Sequence, residues 1–194
     1  MKILFTNAQS LTGKISELEA VASENQPDLI LICESWCNSN ISNANLCIEG
    51  YELQQDLRCD RTDTANGIGG GLVVYSRNGL EVLSCDIVSD YNQYCKFMLK
   101  SESETCFFYL IYRPPSSGEE NFNKLCDLLK GAEKNSIFVG DFNLPGIDWT
   151  TGRGEGRDGR LVQIIQDLLM EQLVDFPTHL RGNCLDLVIT TIQT

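Results

Sequence analysis

Long apolar runs are missing from this sequence, and so is any sign of a secretion leader. No uninterrupted stretch approaches the roughly 18 apolar residues of a transmembrane helix. No signal-peptide cleavage region separates Met1-Lys2 from the apolar segment Ile3-Leu4-Phe5. We therefore expect a soluble, intracellular protein without a membrane partner.

Histidine is almost absent, and the nine cysteines contain no CxxC pair. The single histidine, His179, has no cysteine at zinc-finger spacing, which excludes the common zinc motifs. The odd number of cysteines argues against a disulfide framework. Most lie in apolar runs, as Cys33 and Cys126 do, where a thiol behaves as a small hydrophobe. The composition predicts free, buried thiols in a reducing compartment.

Basic residues are few: the sequence has 15 Lys and Arg and 27 Asp and Glu, which gives a net charge of −12. This balance argues against a protein that holds nucleic acid by its overall charge. A local arginine cluster or a bound divalent cation can still reverse the field at one site.

The sequence has no internal repeat, low-complexity tract or long linker, and 42% of its 194 residues are hydrophobic. We therefore predict one domain over residues 1–194. Short β-rich runs recur along it, which predicts more strands than one small open sheet holds. The predicted strands are Ile3–Thr6, Leu29–Cys33, Leu72–Tyr75, Leu80–Cys85, Cys95–Leu99, Phe107–Tyr112, Ile137–Val139 and Leu185–Thr190.

Three stretches have the apolar spacing of helices. The first runs from about Gly13 to Asn25, before Pro27, and the second covers Glu119–Lys130. The third places on one face Leu161, Ile164, Ile165, Leu168 and Leu169. The order of strands and helices predicts an α/β fold in which two sheets pack face to face with helices outside.

Polar residues follow the first two predicted strands directly. Asn7 comes after the first, where its amide can bind a metal ion or a phosphate, or can cap the helix that follows. Glu34 comes at the tip of the second, where a buried carboxylate needs a partner such as a divalent cation. A plain surface glutamate at a strand end is the alternative.

Later strands end in polar residues as well. Tyr112 and Arg113 precede two prolines that stiffen the chain, so both side chains can contact a phosphate. An ordinary proline-rich turn is the better interpretation of this motif when it is taken alone. Asp141 and Asn143 follow a buried strand and a glycine. In an extended chain, side chains two residues apart point to the same side, so Asp141 and Asn143 can contact the same group of substrate atoms. A turn in which Asp and Asn are the turn-forming residues is the alternative. Asp186 lies inside an apolar strand and needs a hydrogen-bond partner.

The glycine-rich segment 151–160 carries three arginines and follows the Asp141 motif. Arg153 and Arg157 can track a DNA backbone there. Because Glu155 and Asp158 cancel much of the charge, a solvated loop is the alternative.

The order and spacing of these motifs resemble the endonuclease/exonuclease/phosphatase superfamily, which includes apurinic endonucleases and DNase. Segments 7–11, 142–149, 177–178 and 185–190 look like the endonuclease domains of non-LTR retrotransposons. The resemblance implies a four-layer α-β-β-α sandwich of two packed mixed sheets with flanking helices. It also implies a DNA-nicking phosphodiesterase, with DNA as partner, a reverse transcriptase domain in the same full-length protein, and a nuclear location for action on chromosomal DNA.

The resemblance further implies a role for each matching residue. Glu34, with Asn7 beside it, would bind Mg²⁺ or Mn²⁺, and Asp141 would orient and deprotonate the attacking water. Asn143 and Tyr112 would bond the phosphate oxygens, and Thr178 would contact the nucleic-acid backbone.

The match is incomplete at its end. Family members continue into a strand with an Asp-His pair, whose imidazole is held by the aspartate at the position of Asp186. We expect that last strand to be missing here, since the sequence reaches Thr194 without it, and His179 does not match the motif. The missing strand favours an alternative, a catalytically impaired copy that serves as a nucleic-acid or protein interaction module. A phosphatase for small phosphoesters, which shares the metal chemistry, is a further alternative.

Overall fold

The computed structural model describes residues 1–60, 69–88, 93–100 and 104–193. Within them the strands are β1 Ile3–Asn7, β2 Leu29–Cys33, β3 Tyr51–Leu53, β4 Leu72–Arg77, β5 Val82–Val88, β6 Gln93–Lys100, β7 Thr105–Tyr112, β8 Ser136–Asp141, β9 Ile147–Asp148, β10 Arg153–Gly154, β11 Glu171–Gln172 and β12 Asp186–Thr190. The α-helices are α1 Ile15–Asn25, α2 Glu119–Lys130 and α3 Gly156–Asp167. None of the helices in these ranges is long and apolar enough to cross a membrane.

The first sheet has the strand order β1-β2-β4-β3. Every residue of β2 is buried, which accounts for its continuous apolar run because neither face meets water. β1 runs parallel to β2, and the register sets Asn7 beside Cys33. Asn7 and the residue after Cys33 therefore leave the sheet at the same edge.

The second sheet has the order β11-β12-β8-β7-β6-β5. β7 and β8 are parallel, with Tyr112 beside Asp141. β12 pairs with β8 in the antiparallel direction and sets Asp186 beside Asp141 on the other side. Three predicted site residues thus lie in one row across this sheet.

The sheets pack face to face, and helices cover their outer faces. Leu31 and Val74 of the first sheet share a buried cluster with Phe97 and Phe108 of the second. Helix α1 packs on the first sheet, whereas α2 and α3 pack on the second. The predicted four-layer sandwich is confirmed. Each fully buried leucine or phenylalanine in these layers contributes about 1.5–3 kcal/mol.

The third helix differs from the prediction at its end. It stops at Asp167, after which the Leu168 N–H bonds the Ile164 carbonyl and Leu169 takes a φ of +53°. Leu168 and Leu169 are 39% and 71% exposed, while Met170 enters the core instead. The predicted apolar face was wrong at these two leucines because the left-handed residue turns the chain before the period continues.

All nine cysteines are free, and they lie within the described residues. Five are buried, as the composition predicts, but Cys47 and Cys85 are exposed. The prediction of burial was therefore wrong for those two thiols. Cys47 follows a short 3-10 helix, and Cys85 is exposed on β5, an edge strand of its sheet.

Candidate active site

The strand ends of both sheets meet at one edge, where Asn7 contacts Asp141. The Asn7 side-chain amide donates to Oδ2 of Asp141 at 2.9 Å. Asn7 does not cap α1, which begins at Ile15 without a side-chain cap. The hydrogen bond therefore joins the end of β1 to the end of β8.

Gly140 lets β8 lie close against β7 just before Asp141. Its φ is +153°, and a Cβ placed on it would lie 1.9 Å from the carbonyl oxygen of Ile111. Any side chain here would push the two strands apart. The glycine therefore keeps Asp141 at the level of Tyr112.

The turn after β2 is strained and firmly held. Glu34 and Trp36 have φ of +55° and +54°, a conformation that costs about 1–3 kcal/mol per residue unless its surroundings impose it. Backbone bonds from Ser35 N to Gly71 O (3.1 Å) and from Trp36 N to Gly70 O (2.9 Å) impose it here. Such strain is concentrated at functional sites.

Glu34 is half-buried, and the indole N–H of Trp36 donates to its Oε2 at 2.5 Å. This bond orients the carboxylate. The sequence shows an indole two residues after the glutamate, but only the left-handed turn brings the two groups together, so we did not predict this role for Trp36.

Asp141 is 6% exposed and accepts two hydrogen bonds. Besides the Asn7 amide at Oδ2, the backbone N–H of Asn143 donates to Oδ1 at 3.1 Å. Burial raises the pKa of Asp141 to about 7, with repulsion from Asp186 and Glu34 adding to the rise and the two hydrogen bonds opposing it. Two neighbouring carboxylates therefore act on Asp141 at this edge.

Asn143 lies beside Asp141 for a different reason from the one predicted. The strand ends at Asp141, and Asn143 has a φ of +49°, so the two-residue alternation of extended chain does not apply. Its backbone N–H binds the Asp141 carboxylate, while its side-chain amide donates to the carbonyl oxygen of Arg113 at 2.8 Å. A tight turn, rather than a strand, joins the two residues.

Asp186 is half-buried at the start of β12, and among the described residues its Oδ1 has no hydrogen-bond partner. Burial raises its pKa, and Thr178 and His179 counter the rise only in part. The Thr178 hydroxyl accepts the backbone N–H groups of Leu185 (2.9 Å) and Asp186 (3.0 Å). Thr178 thus holds the start of β12, and its contact with nucleic acid stays a prediction.

Tyr112 and Arg113 are both buried at the end of β7. Tyr112 belongs to the core between the sheets, and its contact with a phosphate stays a prediction. Arg113 is 0% exposed, and its guanidinium donates to backbone carbonyl oxygens. As placed, it lies inside the protein rather than on the surface that a phosphate approaches.

The other basic candidates are less closely tied to Asp141. Arg153 is exposed on β10, so its expected contact with DNA stays a prediction. Arg157 donates to the carbonyl oxygen of Ser117 at 3.2 Å, and its guanidinium lies 5.5 Å from the centre of the Phe122 ring. His179 is exposed, and its Nδ1 accepts the N–H of Arg181 at 3.3 Å.

The site offers oxygen atoms that suit a hard cation. In the described ranges, no three or more His, Cys, Asp or Glu side chains are arranged to hold a metal ion. Mg²⁺ keeps several waters and takes few protein ligands, so this finding is compatible with it. Oδ1 of Asn7 is a buried acceptor that has no partner among the described residues, and Glu34 adds a carboxylate. Oxygen ligands of this kind fit Mg²⁺ or Mn²⁺ better than zinc.

A cleft of about 580 Å³ lies beside the start of β12. It is lined by both aromatic and polar side chains, including Trp149, Phe176, Arg181 and Asn183. The Asn183 side-chain amide donates to the carbonyl oxygen of Pro145 at 3.0 Å, which ties the two loops of the cleft together.

The fold and this edge define an α/β sandwich in which strand ends of both sheets carry a carboxylate- and amide-rich site. The chain belongs to the Endonuclease/Exonuclease/phosphatase family, whose sequence profile matches residues 3–191. Members of this family are hydrolases that act on phosphodiesters. No curated protein sequence matches the chain at a significant level.

Solved structures share the fold at low sequence identity. The endonuclease domain of TRAS1, a telomere-specific non-LTR retrotransposon, aligns with a TM-score of 0.70 and 17% identity over 98% of this chain and 84% of that one. The AP endonuclease LMAP from Leishmania major gives 0.68 and 14% over 97% and 78%. The 3′ phosphatase NExo from Neisseria, bound to product DNA hairpin, gives 0.62 and 14% over 98% and 86%.

Proposed function

We propose that this chain is a magnesium-dependent endonuclease domain that nicks DNA, of the kind found in non-LTR retrotransposons. The hydrogen bond between Asn7 and Asp141 carries the proposal. It joins the strand ends of the two sheets, and it sets an aspartate next to the turn that presents Glu34. At such an edge, side chains from both sheets can contact a single phosphate group.

The residues at this edge have separate roles in the proposed reaction. A magnesium or manganese ion held by Glu34 and Asn7 would supply the positive charge that stabilises a pentavalent phosphate and its leaving oxygen. Asp141 orients a water molecule and takes its proton as the water oxygen attacks phosphorus. The 3′ oxygen leaves with the electron pair of the broken bond and takes a proton from solvent, which yields a 3′ hydroxyl and a 5′ phosphate.

Asn143 and Tyr112 donate to the phosphate oxygens as negative charge grows on them, and donors fixed in advance are worth most at that moment. Asp186 lies beside Asp141 in the sheet. Its Oδ1 is a buried acceptor, which can bind a cation or an imidazole N–H that approaches the phosphate. Thr178, Arg153 and Arg157 would follow the DNA backbone along the loops that flank this edge.

DNA is favoured as substrate by two observations. Residues 147–149 and Pro177, which belong to the retrotransposon-like segments, line the cleft beside β12. TRAS1 is a retrotransposon endonuclease domain, and NExo was seen with a DNA hairpin product. A reverse transcriptase domain in the same full-length protein and a nuclear site of action belong to this proposal.

Nicking of supercoiled plasmid tests the proposal. We expect the chain with Mg²⁺ to produce open circles, and EDTA to prevent it. Asp141→Asn should lower the rate about 10²-fold or more, because the base is lost. Asp127→Asn is the matched control, since Asp127 is exposed on α2 and forms a surface ion pair with Lys130 at 3.8 Å.

The possible outcomes separate the alternatives. DNA binding without Mg²⁺-dependent cleavage would identify an interaction module instead. Release of phosphate from a 3′-phosphorylated or small phosphoester substrate, with no plasmid nicking, would identify a phosphatase. Nicking that survives Asp141→Asn would contradict the assigned base.

A further inference from the structure

Arg113 is a buried cation that binds backbone rather than an acid. Its side chain is 0% exposed, and among the described residues none of its hydrogen bonds goes to a carboxylate. Nη1 donates to the carbonyl oxygens of Phe142 (3.4 Å) and Asn143 (3.0 Å), and Nη2 donates to that of Ser117 (3.1 Å). A buried charge is costly unless polar groups compensate it. Hydrogen bonds to the guanidinium therefore favour the backbone positions in which these three carbonyl groups can accept them.

Two of these acceptors belong to the segment that follows Asp141, which we call the Asp141 loop (residues 141–144). The backbone of Arg113 binds the same loop. Its N–H donates to the Asp141 carbonyl oxygen at 2.9 Å, and its carbonyl oxygen accepts the side-chain amide of Asn143 at 2.8 Å. One residue therefore contacts three consecutive residues of the loop, Asp141 to Asn143, through both its backbone and its side chain.

The loop needs such support because Asn143 is left-handed, with a φ of +49°. A non-glycine residue keeps this conformation only where its neighbours impose it. The same conformation aims the Asn143 N–H at Oδ1 of Asp141, 3.1 Å away. The direction of the Asp141 carboxylate thus depends on the loop that Arg113 holds.

We propose that Arg113 is a positioning residue, which clamps the Asp141 loop to the exit of β7 and thereby aims the Asp141 carboxylate. This inference rests on the proposed function only for its effect on catalysis. Arginine suits the task because its planar fork donates in two directions at once, toward the loop and toward Ser117. Lysine keeps the charge but has no such fork.

Arg113→Lys tests the clamp, with Arg58→Lys as matched control. Arg58 is another nearly buried arginine, 11% exposed, whose donors go to Asp60, Asn43 and Asn38 in the other half of the molecule. We expect Arg113→Lys to lower kcat for plasmid nicking about 10- to 100-fold, because a small misplacement of a reacting group has an effect of this order. KM for DNA should stay nearly unchanged, and Arg58→Lys should keep its kcat.

Hydrogen exchange tests the clamp without reference to activity. In Arg113→Lys the amides of Phe142 and Asn143 should exchange faster, while those of β2 keep their protection. Faster exchange throughout the chain, or no change at the loop, would overturn the proposal, as would an equal loss of kcat in Arg58→Lys. If the wild-type chain does not nick DNA, the proposed function fails, but the exchange data still decide on the clamp.

A measurement on the wild-type chain covers the case in which Arg113→Lys does not fold. Nitrogen-15 NMR of labelled arginine should show a guanidinium at Arg113 with restricted rotation and slowly exchanging Nη protons. A single averaged signal, like that of an exposed arginine, would contradict the clamp.

Discussion

The side-chain amide of Asn7, the last residue of β1, donates to the carboxylate of Asp141, the last residue of β8, across 2.9 Å. The two residues are far apart in sequence and lie in different sheets. Their contact shows that the sandwich brings both strand ends to one place.

Loss of this bond should affect stability as well as activity. Asn7→Ala leaves a buried carboxylate with one donor fewer, so we expect the free energy of unfolding to fall by about 1–3 kcal/mol. Urea titration measures it, with the exposed Asn40→Ala as control. An Asn7→Ala variant as stable as the control would show that the contact contributes nothing.

Gly140→Ala should be strongly destabilising, by about 2–5 kcal/mol, because it adds a steric clash to an unfavourable φ. The new Cβ would meet the Ile111 carbonyl oxygen at 1.9 Å. Gly79→Ala separates the two effects, since Gly79 also has a positive φ, +88°, but has nothing within 4 Å of an added Cβ. Equal thermal shifts in both variants would rule out the clash as the cause.

The fold was predictable where the pattern of apolar residues was simple. β2 reads as a continuous apolar run because both of its faces are covered, and the strand order in sequence indicates two sheets. The end of α3 was not predictable. Its apolar period continues into Leu168 and Leu169, and the turn that exposes them depends on tertiary packing of Met170.

That these polar residues meet was predictable from their positions at strand ends, whereas their roles stay predictions. Asn7 and Asp141 end apolar strands and Glu34 directly follows one, and such positions meet at a sheet edge. The orientation of the side chains was not predictable, because it depends on left-handed residues such as Asn143. For the same reason the burial of Arg113 could not be inferred from a motif that also allows a phosphate contact.

Glu133 should make stability depend on pH in the acidic range. It binds Lys96 and Tyr109; burial raises its pKa, but these hydrogen bonds outweigh that effect, so the pKa lies below the ordinary 4.5. A lowered pKa means that the ionised form stabilises the fold above 4.5, and that this stability is lost as the pH falls through the lowered value. The difference in unfolding free energy between wild type and Glu133→Gln should therefore shrink on acidification. A difference that is constant with pH would contradict this.

His179→Ala should leave nicking nearly unchanged. The imidazole is exposed, and its Nδ1 binds the Arg181 N–H within its own loop. The hydrogen bonds to the Asp141 carboxylate come from Asn7 and Asn143 instead. Nicking rates of wild type and variant measure this at one pH. A large loss of rate would mean that His179 supplies the imidazole to the phosphate, and the assignment of donors would then change.

The central claim is that the edges of the two sheets form one metal-dependent site, and manganese soaked into crystals of the chain tests it most directly. Anomalous difference density locates the ion without any assumption about activity. We predict one peak within coordination distance of a Glu34 carboxylate oxygen and Oδ1 of Asn7, near the Asp141 carboxylate. Glu34→Gln should weaken or remove that peak. Density at another place, or an unchanged peak in Glu34→Gln, would contradict the account.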